Sequence, residues 1–158
     1  MHRILSSISY LTAFTLALLV GLIVFDATSR YLFSAGSTAL QELEWHFFDV
    51  VILLSIAYTF NQNSHVRVDI FYDKFSAKTQ ALIDVLTILL FILPFSGLII
   101  YVGFGFVELS FLQDESSSDP GGLSSRWIVK SLMPLAFIFL ALESISKLSM
   151  IMKKYKTL

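Results

Sequence analysis

Three ionisable side chains are spaced as if to do chemistry. Glu42, His46 and Asp49 lie four and three residues apart, which puts them on one face of a helix. Carboxylate beside imidazole is the composition of a proton relay, and it is also a ligand set that a divalent metal accepts. The commoner use of such a trio is structural: an outer helix end buried against neighbours and hydrogen-bonded to Arg30 or to water. Glu143 has Lys147 one turn on, in the favourable i, i+4 order. A carboxylate there could couple protons to transport, but a lysine so close neutralises it locally and snorkels toward the interface. Haem needs two axial histidines at one depth, whereas His2 and His65 fall near one membrane face and His46 near the other. No Ser-His-Asp set, Gly-rich phosphate loop or catalytic carboxylate pair stands out, so the sequence predicts no enzyme. Cysteine is absent, which removes disulfides, thiolate metal sites and thiol catalysis together.

The elements that carry these residues are membrane helices. Of 158 residues, 56% are hydrophobic and 15% charged, where a soluble domain would carry about 25% charge. The mean hydropathy is +0.75. Lys plus Arg number 11 against 12 for Asp plus Glu, leaving no basic excess to recruit nucleic acid. A spanning helix needs about 20 apolar residues, since each rises about 1.5 Å through a hydrocarbon core about 30 Å thick. Four segments qualify, with helices predicted over residues 4–25, 39–60, 79–107 and 126–151. The first exceeds the apolar length of a signal peptide and is read as a retained helix. The chain therefore reads as an all-α integral membrane protein with four transmembrane helices, short interfacial segments and one domain spanning residues 1–158.

Charge sets the expected orientation. With four spans, Arg3, Arg67, Lys74, Lys78, Lys147, Lys153, Lys154 and Lys156 share one face, against Arg30, Arg126 and Lys130 on the other. The positive-inside rule then puts both termini in the cytoplasm. Thr38 followed by Gln41 matches a capping box for the second helix, and Ser76 suits the N-cap of the third. The stretch from Gln113 to Ser125, with its serines and Asp119-Pro120-Gly121-Gly122 turn, predicts the most mobile part outside the membrane. Ser9, Ala13, Ala17 and Gly21 recur every four residues, a small-residue ridge that admits another backbone closely. Pro94 and Pro134 predict kinks.

Longer motifs carry a resemblance. A first helix ends in Asp26-Ala27-Thr28-Ser29-Arg30-Tyr31, and Glu42-Leu43-Glu44-Trp45-His46 opens the second. Ala57-Tyr58-Thr59-Phe60 leads to His65-Val66-Arg67-Val68-Asp69, and Gly122-Leu123-Ser124-Ser125-Arg126-Trp127-Ile128-Val129-Lys130 precedes Pro134. Over nearly its whole length the chain resembles the small membrane subunit, the Q or DctQ type, of tripartite ATP-independent periplasmic (TRAP) transporters.

The resemblance implies a non-catalytic subunit of a sodium-coupled uptake system for an organic acid in the bacterial inner membrane. It implies a large multi-spanning elevator-type partner that binds the sodium ions, and a periplasmic substrate-binding protein, with membrane lipids around them and no cofactor in this subunit. Arg30, Glu42, Glu44, Trp45 and His46, with Arg126, Trp127 and Lys130, would serve interface anchoring, contact with the large subunit, or docking. His65, Arg67 and Asp69 would fix the cytoplasmic loop. The competing expectation is a self-sufficient dimeric four-helix small-molecule or multidrug exporter, which normally needs a carboxylate within the first helix; none lies between Ile4 and Phe25.

Overall fold

The computed structural model of the protein describes residues 2–61, 72 and 74–155, so His65, Arg67 and Asp69 lie outside the described residues. Within that range the structure is helical and strand-free. Four helices are long and apolar enough to cross a membrane: α1 (His2–Phe33), α2 (Thr38–Asn61), α3 (Ala77–Leu112) and α4 (Trp127–Tyr155). Each of the four predicted helices exists, and three run well past their predicted ends. In α1 the extension past Phe25 is stabilised by an i, i+4 ion pair between Asp26 and Arg30 and by Thr28 Oγ1 donating to the Val24 carbonyl at 2.7 Å.

The starts and stops follow local chemistry. Ser76 is extended and its hydroxyl accepts from the Thr79 amide at 3.3 Å, capping α3 as predicted. For α2 the cap is Ser37, one residue earlier than the expected Thr38: its Oγ accepts from Leu40 N–H at 3.4 Å. Gln41 is thereby released from capping. With its amide oxygen turned toward Arg30, it accepts from both terminal guanidinium nitrogens at 2.9 and 2.7 Å. Helix α3 ends in a Schellman motif with Asp114 left-handed at φ 46; Glu115 N–H returns to Ser110 O at 3.0 Å and Asp114 N–H to Phe111 O at 3.1 Å.

The helices form an open layer in the order α1, α2, α4, α3. Buried positions on α1 are Ile8, Thr15, Leu19 and Asp26, spaced seven, four and seven apart, and they face α2. Ile8, Leu54 and Ala57 form one apolar cluster, against which Val50 and Phe139 pack. Phe60, Ile88 and Leu140 form a second, joining α2, α3 and α4. Both clusters lie toward the end of the layer that carries the termini.

The α3–α4 seam is made by small residues. Ser96, Gly103 and Ser110, seven apart, are buried on α3. A Cβ on Gly103 would sit 3.2 Å from Met133 Cε and from Pro134 Cβ, so Pro134 acts here as a close-packing surface. Pro94 follows a π-helical turn at Ile88–Ile92, in which Leu93 N–H bonds Ile88 O. Widening the helix in this way accommodates a proline ring that would strike an α-helical carbonyl four residues back. The Ser9, Ala13, Ala17, Gly21 ridge, by contrast, turns away from α2: Ala13, Ala17 and Gly21 are exposed and nothing lies within 4 Å of a Cβ on Gly21.

At the termini end, α4 grips the last turn of α2. Asn61 Nδ2 donates to Glu143 Oε1, and Lys147 Nζ donates to the Phe60 carbonyl at 3.1 Å while lying 4.5 Å from the Phe60 ring centroid. The lysine thus satisfies one of the carbonyls a helix end leaves open and places positive charge at a C-terminus. Glu143 takes its bond from Asn61 where the sequence suggested Lys147.

Substitution at the seam should separate its two kinds of small residue. Gly103→Val is expected to cost about 1–3 kcal/mol through overpacking against Pro134, read as a lowered melting temperature in detergent. Ser96→Ala, at a hydroxyl with no hydrogen-bond partner, should cost nothing measurable.

Candidate functional site

The end of the layer opposite the termini is built from polar contacts. Arg30 bridges two helices: its guanidinium pairs with Asp26 on its own helix and reaches Gln41 on α2. Asp26 is 2% exposed, so the pair is sheltered on the acid side.

One turn along α2, Glu42 fastens the α3–α4 loop. Its Oε1 accepts from Ser117 Oγ, and its Oε2 accepts from Leu123 N–H at 2.6 Å. The loop closes on itself through Ser117 N–H to Leu123 O at 2.9 Å and Gly122 N–H to Asp119 O at 3.0 Å. Gly121 is left-handed at φ 79, and a Cβ on Gly122 would collide with the Ser117 side chain and sit 2.8 Å from Glu42 Oε2. Glycine is thus required at 121 for conformation and at 122 for space. The stretch from Gln113 to Ser125, expected to be the most mobile part outside the membrane, is thus a hydrogen-bonded hairpin held by a carboxylate from another helix.

A second fastener lies at the loop's base. Lys130 pairs with Glu115 and sits 4.0 Å from the Phe106 ring centroid, and Arg126 N–H bonds the Glu115 carbonyl at 3.0 Å. Trp127 meets Phe111 edge to face at 5.4 Å. The hydrogen bond from Lys130, with the positive charges of Lys130 and Arg126, holds the Glu115 carboxyl below its usual 4.5.

Glu42, His46 and Asp49 do share a face, as their spacing predicts, and they line a pocket of about 380 Å³ with Thr38, Gln41, Asp119 and Arg126. Glu42 is committed to Ser117 and Leu123, and no group of three or more acids and histidines among the described residues is arranged to hold a metal. Arg30 is also committed, to Asp26 and Gln41, and does not serve this trio. Trp45 borders this pocket and also, with Glu44, a separate groove against α1. The predicted outer residues therefore divide. Arg30, Glu42, Trp127 and Lys130 tie helices together, His46 and Arg126 line the pocket, and Trp45 is exposed. Ser117, Leu123, Glu115 and Asn61 were missed, because a backbone amide or a loop hydroxyl carries no motif; the Pro-Gly-Gly run was the one visible sign of a tight loop.

What these residues define is a multi-pass membrane protein whose polar groups mainly hold helices and a loop in place. The family model for tripartite ATP-independent periplasmic transporters, DctQ component, matches residues 19–153. The chain belongs to that family, and so is the small membrane component of a TRAP transporter. No individual curated protein matches it.

Two measurements check the fasteners. Glu42→Ala removes both acceptor oxygens, so the Leu123 amide should exchange its hydrogen faster while the helices keep their protection; unchanged exchange at Leu123 would remove Glu42 from this role. Because the Glu115 carboxyl is depressed in the folded state, its contribution is full above pH about 4.5 and is lost as pH falls through that region. Wild-type thermal stability should therefore drop on acidification there, and the drop should be smaller in Glu115→Gln.

Proposed function

We propose that the chain is the non-catalytic scaffold of a sodium-coupled TRAP transporter that takes up an organic acid across the bacterial inner membrane. Both termini lie in the cytoplasm in this reading, in keeping with the lysines and arginines of the termini and of the α2–α3 connection. The large multi-spanning subunit binds the sodium ions and moves the substrate. This chain widens the fixed platform against which that subunit slides.

The observation that carries the reading is the family match over residues 19–153 on a layer in which Asp26, Arg30, Glu42, Glu115 and Lys130 are engaged within the chain. A scaffold needs its own helices fixed and a face left over for its partner. The outward ridge of Ala13, Ala17 and Gly21 on α1 is such a face, because small residues let a second backbone approach closely where lipid offers no hydrophobic drive. The fastened hairpin between α3 and α4, carrying Asp114, Glu115 and Asp119, offers a firm acidic surface to a loaded periplasmic binding protein.

Gentle extraction of the tagged chain from its native membrane should recover a larger multi-spanning protein in one-to-one ratio, and Gly21→Leu should lower that recovery. Glu143→Gln should leave sodium-driven uptake by the complex largely intact, since Gln still offers an oxygen to Asn61. Recovery of a homodimer alone, or loss of transport in an assembled Glu143→Gln complex, would favour the exporter instead.

A further inference from the structure

Between α1 and α2 at the polar end, Glu44 keeps a buried carboxylate oxygen with no hydrogen-bond partner among the described residues. Asp26 has Arg30, Glu42 has Ser117 and Leu123, and Glu115 has Lys130. Glu44 has none of these: its Oε1 is buried and accepts no hydrogen bond, and among the described residues no cation stands within ion-pairing distance. A buried oxygen of this kind is costly unless a donor meets it.

Its surroundings say what sort of donor fits. Glu44 lies at one end of a groove of about 270 Å³ between α1 and α2, whose other lining residues are Leu19, Ile23, Trp45 and Phe48. The two helices run antiparallel, so Phe48 on α2 and Leu19 on α1 each lie one turn deeper into the membrane than Glu44 and Ile23. Leu19, 5% exposed, is the floor. Trp45 and Phe48 meet edge to face at 6.2 Å and form one wall. The site is therefore polar at its mouth and apolar inward, and beside the mouth stands an exposed tryptophan, a residue type enriched at the membrane–water interface.

We propose that this groove binds a phospholipid with a primary-ammonium head group, of the phosphatidylethanolamine class, with the ammonium on Glu44 and an acyl chain along Ile23, Phe48 and Leu19. A primary ammonium brings three donors to the unmatched oxygen, and a choline head group of equal charge brings none. A lysine from a protein partner carries the same ammonium, but it would arrive from the aqueous side and leave the deeper apolar half of the groove unfilled. A lipid fills both halves in the direction in which it already lies.

The test is native mass spectrometry of the purified full chain released from nanodiscs of equal parts dioleoyl-phosphatidylethanolamine and dioleoyl-phosphatidylcholine. Wild type should retain the ethanolamine lipid over the choline lipid by about tenfold, the worth of one charge-assisted hydrogen bond. Glu44→Gln should bring the ratio near one, and Ile23→Trp, which fills the groove, should lose both lipids. Melting temperature and helical content serve as folding controls, and the Glu44→Gln comparison stands even if Ile23→Trp does not fold. Equal retention in wild type, or a preference that survives Glu44→Gln, would overturn the proposal. So would an absent lipid preference combined with poorer recovery of the large subunit from Glu44→Gln membranes, because a basic side chain would then be the occupant.

Discussion

The close approach of α3 and α4 at Gly103 and Pro134 is the contact on which the layer most depends. Helix α3 lies along α4, and it joins α2 through the Phe60, Ile88 and Leu140 cluster near one end. In lipid, apolar side chains gain little by leaving their surroundings, so contact must come from shape. Glycine against proline supplies it, because the Pro134 ring and the Met133 methyl rest where a Cβ on residue 103 would need space. The π turn before Pro94 belongs to the same constraint, since it lets the helix continue through a proline without losing its course along α4.

The two ends of the layer are stabilised by different physics. Toward the termini, apolar clusters dominate, supplemented by Glu143 and Lys147 closing the end of α2. At the other end, carboxylates and cations do the fastening, and they do so between elements far apart in sequence. Glu42 reaches a loop some eighty residues away. Charges at a membrane surface are tolerated where water and neighbours share them, and here Glu42 also satisfies the backbone amide of Leu123.

Much of this was legible in the residues. Four apolar stretches announced four helices, and Ser76 announced a cap, because span length and capping are local properties. The small-residue ridge on α1 was legible as a packing surface, but periodicity says nothing of which neighbour it meets, and in the structure its Ala13, Ala17 and Gly21 are exposed. The ridge that α3 does use, serine, glycine and serine spaced by sevens, lacks the four-residue repeat that makes such a ridge visible in sequence. Thr38 and Ser37 both suit a cap, and the one-residue shift to Ser37 leaves Gln41 to meet Arg30 of another helix, a contact no local pattern announces. The hairpin's order was hidden for the same reason: Glu42 and Leu123 meet through folding, and a backbone amide has no sequence signature.

The layer order has a bearing on how the chain is made. Neighbours in sequence, α1 with α2 and α3 with α4, are neighbours in space, so each pair can leave the translocation machinery as a self-contained hairpin. The join between the pairs runs mainly between α2 and α4, with Ile88 of α3 sharing one cluster, and cannot be completed until the last helix has emerged. Until then Asn61 and the carbonyl of Phe60 lack the partners on α4 that later close them. Synthesis would therefore end with a docking step between two preformed halves, timed by the arrival of the C-terminal helix.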